Sequence, residues 1–442
     1  MEEQTILQKA LDKFTDWEID DQLEESLPLV DEFCKNRLEN EIFFDLDILF
    51  IQHHLRPFIQ RLKSMKNSGM DFSRCWFVDI PYSTNNRVKD VLRELQVPES
   101  HVPKAFEDPI APYSRRQIER VAHIIKSIAN RRKGKLLVID DGAYFIRTLN
   151  YLLTRDKQLV ASFKEPKTCI VEQTTRGHRY LESEEGKKMV DYLSAPVVSM
   201  ARSFTKCNLE SPFIGAAVSK RVKKKLNEMG RLEDGLGKVL VIGFGCVGQE
   251  TVKMLSKFKL DQPINVYDKA WKKLRGDIEN MGAKALPRLP KKGSYDSVFG
   301  CTGYASFPVK KVRILADNAI MVSGSSAAIE FNREQFIDIA YKNDEDEFYI
   351  INPENTRNAG IHTDIQMQWG DKRLSFLNAG FPVNFDGKLE CLPGRIIQIT
   401  HALLLAASQE TLKIEPGFHK LNDIDDDWTY KNGLLALQAF SS

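Results

Sequence analysis

The stretch KVLVIGFGCVGQETVKM, residues Lys238 to Met254, decides how the chain is read. Four apolar residues (Val239 to Ile242) predict a buried strand. Three glycines follow at the spacing Gly243, Gly245 and Gly248, and then an amphipathic helix. In a strand–turn–helix unit the first glycine permits a tight turn. The second lets a ligand's pyrophosphate approach the backbone, and the third lets helix and strand pack closely. With Cys246 and Val247, these glycines place free N–H groups and the positive helix end where an anion binds. A second short strand, Ile264 to Tyr267, ends at Asp268. That acid lies about 20 residues past the last glycine, where a carboxylate bonds ribose hydroxyls and repels a 2′-phosphate. The expected cofactor is therefore NAD rather than NADP.

At 442 residues the chain exceeds one ordinary core, and two or three domains are expected. The 63 basic and 61 acidic residues nearly cancel, so no electrostatic case exists for nucleic acid or an anionic membrane surface. The densest basic run, Lys220 to Lys225, is expected to be a solvated helix face. No apolar run reaches the length of a membrane span, and the N-terminus lacks a secretory apolar core. Seven scattered cysteines without a CxxC or a Cys/His cluster imply reduced thiols, no metal site and a cytoplasmic location.

Short apolar runs separated by helical patterns indicate parallel α/β sheets. Residues 75–80, 135–139, 168–172 and 195–199 read as strands, as do 295–299 and 319–322. Residues 43–65 read as a mostly helical run interrupted by Pro57, and 81–86 as a turn. The charged stretch 342–347 reads as a surface loop, 374–384 contains a further strand-like piece, and 395–407 reads as an apolar helix. The segment from Trp17 to Asn40 is expected to be an extra helix pair or a partner surface. Polar residues just past strand C-termini line the ligand crevice of such sheets, which singles out Asp141, Glu172 and the segment after Ser199.

Six segments in order resemble S-adenosylhomocysteine hydrolase, over about residues 45 to 405 of this chain. The family's D-D-G-G turn is similar to Asp140-Asp141-Gly142-Ala143. Its E-T-T-T-G is similar to Glu172-Gln173-Thr174-Thr175-Arg176-Gly177, and its T-K-x-K-F-D-N to Thr205 through Ser211. G-Y-G-x-V-G matches Gly243 to Gly248, T-T-G resembles Cys301-Thr302-Gly303, and A-E-G-R-L-V-N resembles Asn378 through Asn384. The resemblance implies two doubly wound α/β domains, with a Rossmann NAD-binding domain (213–387) inserted into a flavodoxin-like substrate domain (1–212, resumed at 388–442). It also implies tightly bound NAD and a homo-dimer or homo-tetramer. Lys206 and Glu210 would act at a ribose 3′-hydroxyl, Glu172 would hold the ribose, and Asp141 would assist proton transfer. Thr174, Thr175, Thr302, Gly303 and Asn384 would join the glycine turn and Asp268 in holding the cofactor.

The substrate half departs from the family. Its G-H-F-D histidine falls on Ser326, and its L-H-M-T histidine falls near Phe50 or Ile51, with His53 and His54 turned to other faces by helical spacing. The loop over adenine shortens to Asp386 through Glu390. Only Tyr430 suggests the C-terminal tyrosine that reaches a neighbouring subunit's NAD. Three functions remain open. One is ribose-type oxidation of a nucleoside-like substrate, and another is a non-catalytic NAD-binding regulator. The third is a simple dehydrogenase using His178 or His401.

Overall fold

The computed structural model describes residues 2–260, 262–325, 329–342 and 348–442. The chain divides into two compact units. The first comprises Met1–Phe106, Ser114–Glu210 and Gly387–Ser442, and the second Glu107–Tyr113 and Ser211–Asp386. Both are α/β.

The first unit is built on a six-stranded, wholly parallel sheet. Its strands are β1 (Asp47–His54), β2 (Cys75–Thr84), β3 (Leu136–Asp140), β4 (Thr168–Glu172) and β5 (Pro196–Ser199), with Gly417–Lys420 at one edge. The order across the sheet is β2, β1, β3, β4, β5 and then Gly417–Lys420. The chain therefore winds outward in both directions from the gap between β1 and β3, where ligand crevices of such sheets open. Ile48 to Ile51, Leu136 to Ile139 and Cys169 to Val171 are buried, as strands covered by helices on both faces must be. The apolar helix Gly394–Thr411 packs on β3, β4 and β5.

The fold corrects several expectations. Residues 43–65 are not one helical run, because β1 occupies their centre and the helix Arg56–Asn67 begins only afterwards. Pro57 sits in that helix's first turn, where its missing N–H costs nothing, and so starts the helix rather than interrupting it. Residues 81–84 continue β2 instead of turning. The segment 17–40 contributes one helix, Pro28–Asn36, while Glu2–Asp16 packs on the long C-terminal helix Asp423–Ser441.

The second unit holds an eight-stranded mixed sheet. Its strands are β6 (Val239–Ile242), β7 (Asn265–Tyr267), β8 (Lys284–Leu286), β9 (Tyr295–Gly300), β10 (Leu315–Ser323), β11 (Phe348–Ile350), β12 (Ile365–Trp369) and β13 (Lys372–Phe376). The order is β8, β7, β6, β9, β10, β13, β12, β11, with the first six parallel and the pairings of β12 with β13 and with β11 both antiparallel. Winding reverses between β6 and β9. Val218, Val222 and Leu226 of the helix Ser211–Glu228 pack with Val239, Val241, Val266, Phe299 and Ile320 to form its core. That packing explains why the basic run is only partly solvated. Lys223 and Lys224 are exposed, but Lys225 is buried and pairs with Asp364 at 3.1 Å. No helix among the described residues is long and apolar enough to cross a membrane.

Candidate functional site

In the second unit, the glycines of the turn after β6 have separate physical roles. Gly243 has φ +101°, and a Cβ there would lie 2.6 Å from the Cys301 carbonyl oxygen. A Cβ at Gly248 would fall on the Gly243 carbonyl, so that residue lets the helix Cys246–Leu255 close onto β6. Gly245 is different, because a Cβ there meets nothing within 4 Å. Its lack of a side chain serves no packing need and leaves room at the helix N-terminus. Cys246 is exposed and Val247 half-buried at the first helical positions. Asp268, at the end of β7, accepts from the Phe244 N–H at 2.9 Å and the Ala270 N–H at 2.8 Å. Its carboxylate is thereby fixed on the turn itself.

A second loop, after β9, is held from below by Glu330, which the sequence did not single out. This wholly buried carboxylate accepts from the N–H groups of Thr302 (2.6 Å) and Gly303 (2.5 Å) and from the hydroxyls of Thr302, Ser306 and Ser325. Burial raises its pKa against the pull of those donors. The amides of Thr302 and Gly303 thus already end on a protein carboxylate. After β13 the backbone takes three successive left-handed residues, Asn378 (φ +50°), Ala379 (φ +50°) and Gly380 (φ +79°). Such strain collects at ligand-binding turns. The Asn378 side chain ties the turn by donating to the carbonyls of Pro382 (2.9 Å) and Phe385 (2.7 Å). Nearby in sequence, Asn384 is buried, and its Oδ1 has no partner among the described residues. Ser326 lies outside the described residues, as do 343–347 of the charged stretch.

In the first unit, the parallel order β1–β3 brings together residues far apart in sequence. His53, near the end of β1, places Nε2 at 3.0 Å from Asp141 Oδ2, just past β3, and its Nδ1 meets the Ser83 hydroxyl from the end of β2. Gln173, following β4, donates to the same Asp141 oxygen at 2.6 Å. Burial works to raise the Asp141 pKa, but His53, Gln173 and Arg176 outweigh it and hold the carboxyl below its ordinary value. The expectation that helical spacing would turn His53 away is overturned, because His53 lies on a strand.

Lys206 and Glu210 form an ion pair of 2.6 Å within a five-residue π-turn, Lys206–Glu210. In this wider turn, residues four apart stand almost one above the other, and such turns are frequent at functional sites. Asp426 of the C-terminal helix fixes the turn's start by accepting from the N–H groups of Phe204 (2.6 Å) and Thr205 (3.1 Å). Tyr430 of that same helix packs on Phe204 and donates to Glu3, so it is engaged within its own unit.

Glu172 is placed differently from expectation. It is wholly buried, and its oxygens accept from the N–H groups of Gly142 (3.1 Å), Ala143 (2.7 Å) and Thr174 (2.6 Å) and from the Thr174 hydroxyl. It clamps the β3 and β4 loops and offers no side to a ligand. Burial, with Asp140 and Asp141 close by, pushes its pKa up. Thr174 in turn caps the helix Thr175–Leu181, and Thr175 is half-exposed at its first position. His178 is buried against the Ser199 hydroxyl at 2.8 Å.

No protein-family model matches the chain. The chain is similar to the uncharacterized protein Rv0104 of Mycobacterium tuberculosis (strain ATCC 25618 / H37Rv) and to the uncharacterized protein MT0113 of strain CDC 1551 / Oshkosh. Each is 25% identical over 390 residues, covering 86% of this chain and 67% of the relative.

Proposed function

We propose that the chain is an NAD-binding protein of the S-adenosylhomocysteine hydrolase type, with a Rossmann unit set into a flavodoxin-like substrate unit, that oxidises a ribose-type hydroxyl of a nucleoside-like substrate. The observation that carries this reading is the gathering of the His53–Asp141 and Lys206–Glu210 pairs at the C-terminal side of β1, β3 and β5. The strand order β8-β7-β6-β9-β10-β13 is that of dinucleotide-binding sheets, with the glycine turn at its switch point. The open space at Gly245, the carboxylate of Asp268 and the unmatched Asn384 oxygen suit a nicotinamide dinucleotide. Gly243, Gly245, Cys246, Val247 and Gly248 would hold its pyrophosphate, and Asp268 a ribose. NAD supplies a hydride acceptor when bound.

The chain's own residues supply the proton chemistry. As hydride leaves an alcohol carbon, the hydroxyl proton must go to a base, and the Lys206–Glu210 pair would take it up. Asp141, kept ionised, holds His53 in one orientation through Oδ2. His53 is thereby held between Asp141 at Nε2 and the Ser83 hydroxyl at Nδ1. Glu172 contributes by shaping both loops.

The test is to mix the protein, with NAD bound, with a nucleoside panel and follow the absorbance of reduced nicotinamide. A signal lost in Lys206→Ala while NAD remains bound supports the reading. Silence across the panel at full NAD occupancy would sink it. One observation favours a second reading, a non-catalytic NAD-binding regulator: Glu172 spends all of its acceptor capacity on the loops. Under that reading, Lys206→Ala leaves the protein's cellular role intact.

A further inference from the structure

Arg61 is wholly buried in the first unit, on the helix Arg56–Asn67. Its guanidinium lies 5.1 Å from the Phe58 ring centre, and Nη2 donates to Gln52 Oε1 at 3.0 Å. Nε and Nη1 are shut away from water with no partner among the described residues. A buried guanidinium normally answers to a carboxylate, because desolvating the charge is otherwise uncompensated. None does so here. Glu210 is taken by Lys206, and Asp141 by His53 and Gln173. Burial alone acts on the Arg61 charge and draws its pKa down to about 9.

A second unpartnered nitrogen lies close by. His401 belongs to the helix Gly394–Thr411, which packs on both the Arg61 helix and the Lys206–Glu210 turn. Its Nδ1 is likewise buried without a partner among the described residues. Burial first, and then the charges of Arg61, Lys206 and His53, keep the ring neutral. A neutral imidazole can present an N–H to an anion as readily as to water. Two packed helices thus hold polar nitrogens, Arg61 Nε and Nη1 and His401 Nδ1, without a partner among the described residues, next to a Lys206 already paired with Glu210.

We propose that Arg61 and His401, beside Lys206, form a subsite for a small oxyanion, a carboxylate or a phosphate group. The inference stands apart from the dinucleotide reading, since its readout is anion binding rather than hydride transfer. Melting of the full-length protein is followed while inorganic phosphate or acetate is titrated at constant ionic strength, with chloride as the reference. The wild type is expected to gain several degrees with phosphate or acetate over chloride. Arg61→Met should lose that gain and, freed of an unanswered charge, melt no lower than the wild type in chloride. His401→Phe, which keeps the volume without a donor, should weaken the half-maximal anion concentration about tenfold, and it decides the matter if Arg61→Met does not fold. A nucleoside monophosphate acting at concentrations tenfold below phosphate assigns the anion to the substrate, and equal potency assigns it to a free ion. An equal response in wild type and variants, or none beyond chloride, overturns the subsite.

Discussion

Gly245 and Gly248 stand three residues apart, and their surroundings separate binding from stability. At Gly248 any Cβ collides with the Gly243 carbonyl, so Gly248→Ala must push the helix away from β6. Overpacking of that kind costs about 1–3 kcal/mol, measurable by urea denaturation. Gly245 has φ −76° and ψ −171°, extended values open to any residue, and empty space around it. Gly245→Val should therefore unfold within about 0.5 kcal/mol of wild type. The same variant should lose NAD affinity on the order of a hundredfold, or about 2.7 kcal/mol, because it fills the space proposed for pyrophosphate. Calorimetric titration of both variants checks the pair. Wild-type affinity in Gly245→Val would remove the glycine turn as the cofactor site. This contrast was legible in the sequence, because the motif's spacing gives Gly245 to close approach and Gly248 to helix–strand packing, and the open space at the one and the collision at the other agree with it.

At the scale of elements, β1 has a consequence for acid stability that its sequence conceals. Asp47 to His54 reads from sequence as part of a helical run but forms a strand, since short apolar runs carry no decisive period. As a strand it sends His53 and His54 to opposite faces. His53 goes to Asp141, whereas His54 is fully buried, stacked on Phe58 with ring centres 5.1 Å apart. Burial, reinforced by Lys89, Arg120 and His53 and opposed by Asp79, draws the His54 pKa from 6.5 down to about 4. The folded state therefore binds fewer protons than the unfolded one between these two values. Stability must fall as pH drops through that window, with a limiting slope of about 1.4 kcal/mol per pH unit, and stop falling below it. His54→Phe should remove up to about 3 kcal/mol of this acid loss, read from denaturation midpoints between pH 6.5 and pH 4. An unchanged acid limb would mean that His54 titrates normally. The loop after β9 depends instead on one acceptor. Glu330→Ala strands two backbone N–H groups at about 1–3 kcal/mol each. Glu330→Gln keeps an amide oxygen for them and turns its NH₂ to hydroxyls that can accept, so it should cost less than half as much in the same assay. The apolar strands and the glycine turn were legible because their signals are local. The His53–Asp141 pair was not, because it depends on β1 and β3 being neighbours, and neither was the Asp426 contact that anchors Lys206.

At the scale of the molecule, each unit has its own sheet, its own reversal of winding and its own set of unused polar groups. The two proposed ligands should therefore leave separate footprints in hydrogen exchange. At about 100 times its Kd, NAD should stabilise what it binds by about 2.7 kcal/mol. The added protection should concentrate at residues 243–248 and around Asn384 in the second unit, to which the proposal assigns the cofactor on the open space at Gly245 and the unmatched Asn384 oxygen. Thr302 and Gly303 should change little, because their amides already end on Glu330. The same reasoning bears on Thr174 and Thr175, which the family resemblance assigns to the cofactor. The Thr174 N–H and hydroxyl are already given to Glu172, so NAD can add little protection there. Phosphate should protect the helices Arg56–Asn67 and Gly394–Thr411 in the first unit and leave the glycine turn unchanged. Exchange measured by mass spectrometry with each ligand alone decides these points. Strong NAD protection at Thr174 would require the Glu172 clamp to open on binding and would restore Glu172 to the ribose. Protection confined to 243–248 and Asn384 would leave Glu172 as the residue that holds the two loops in place.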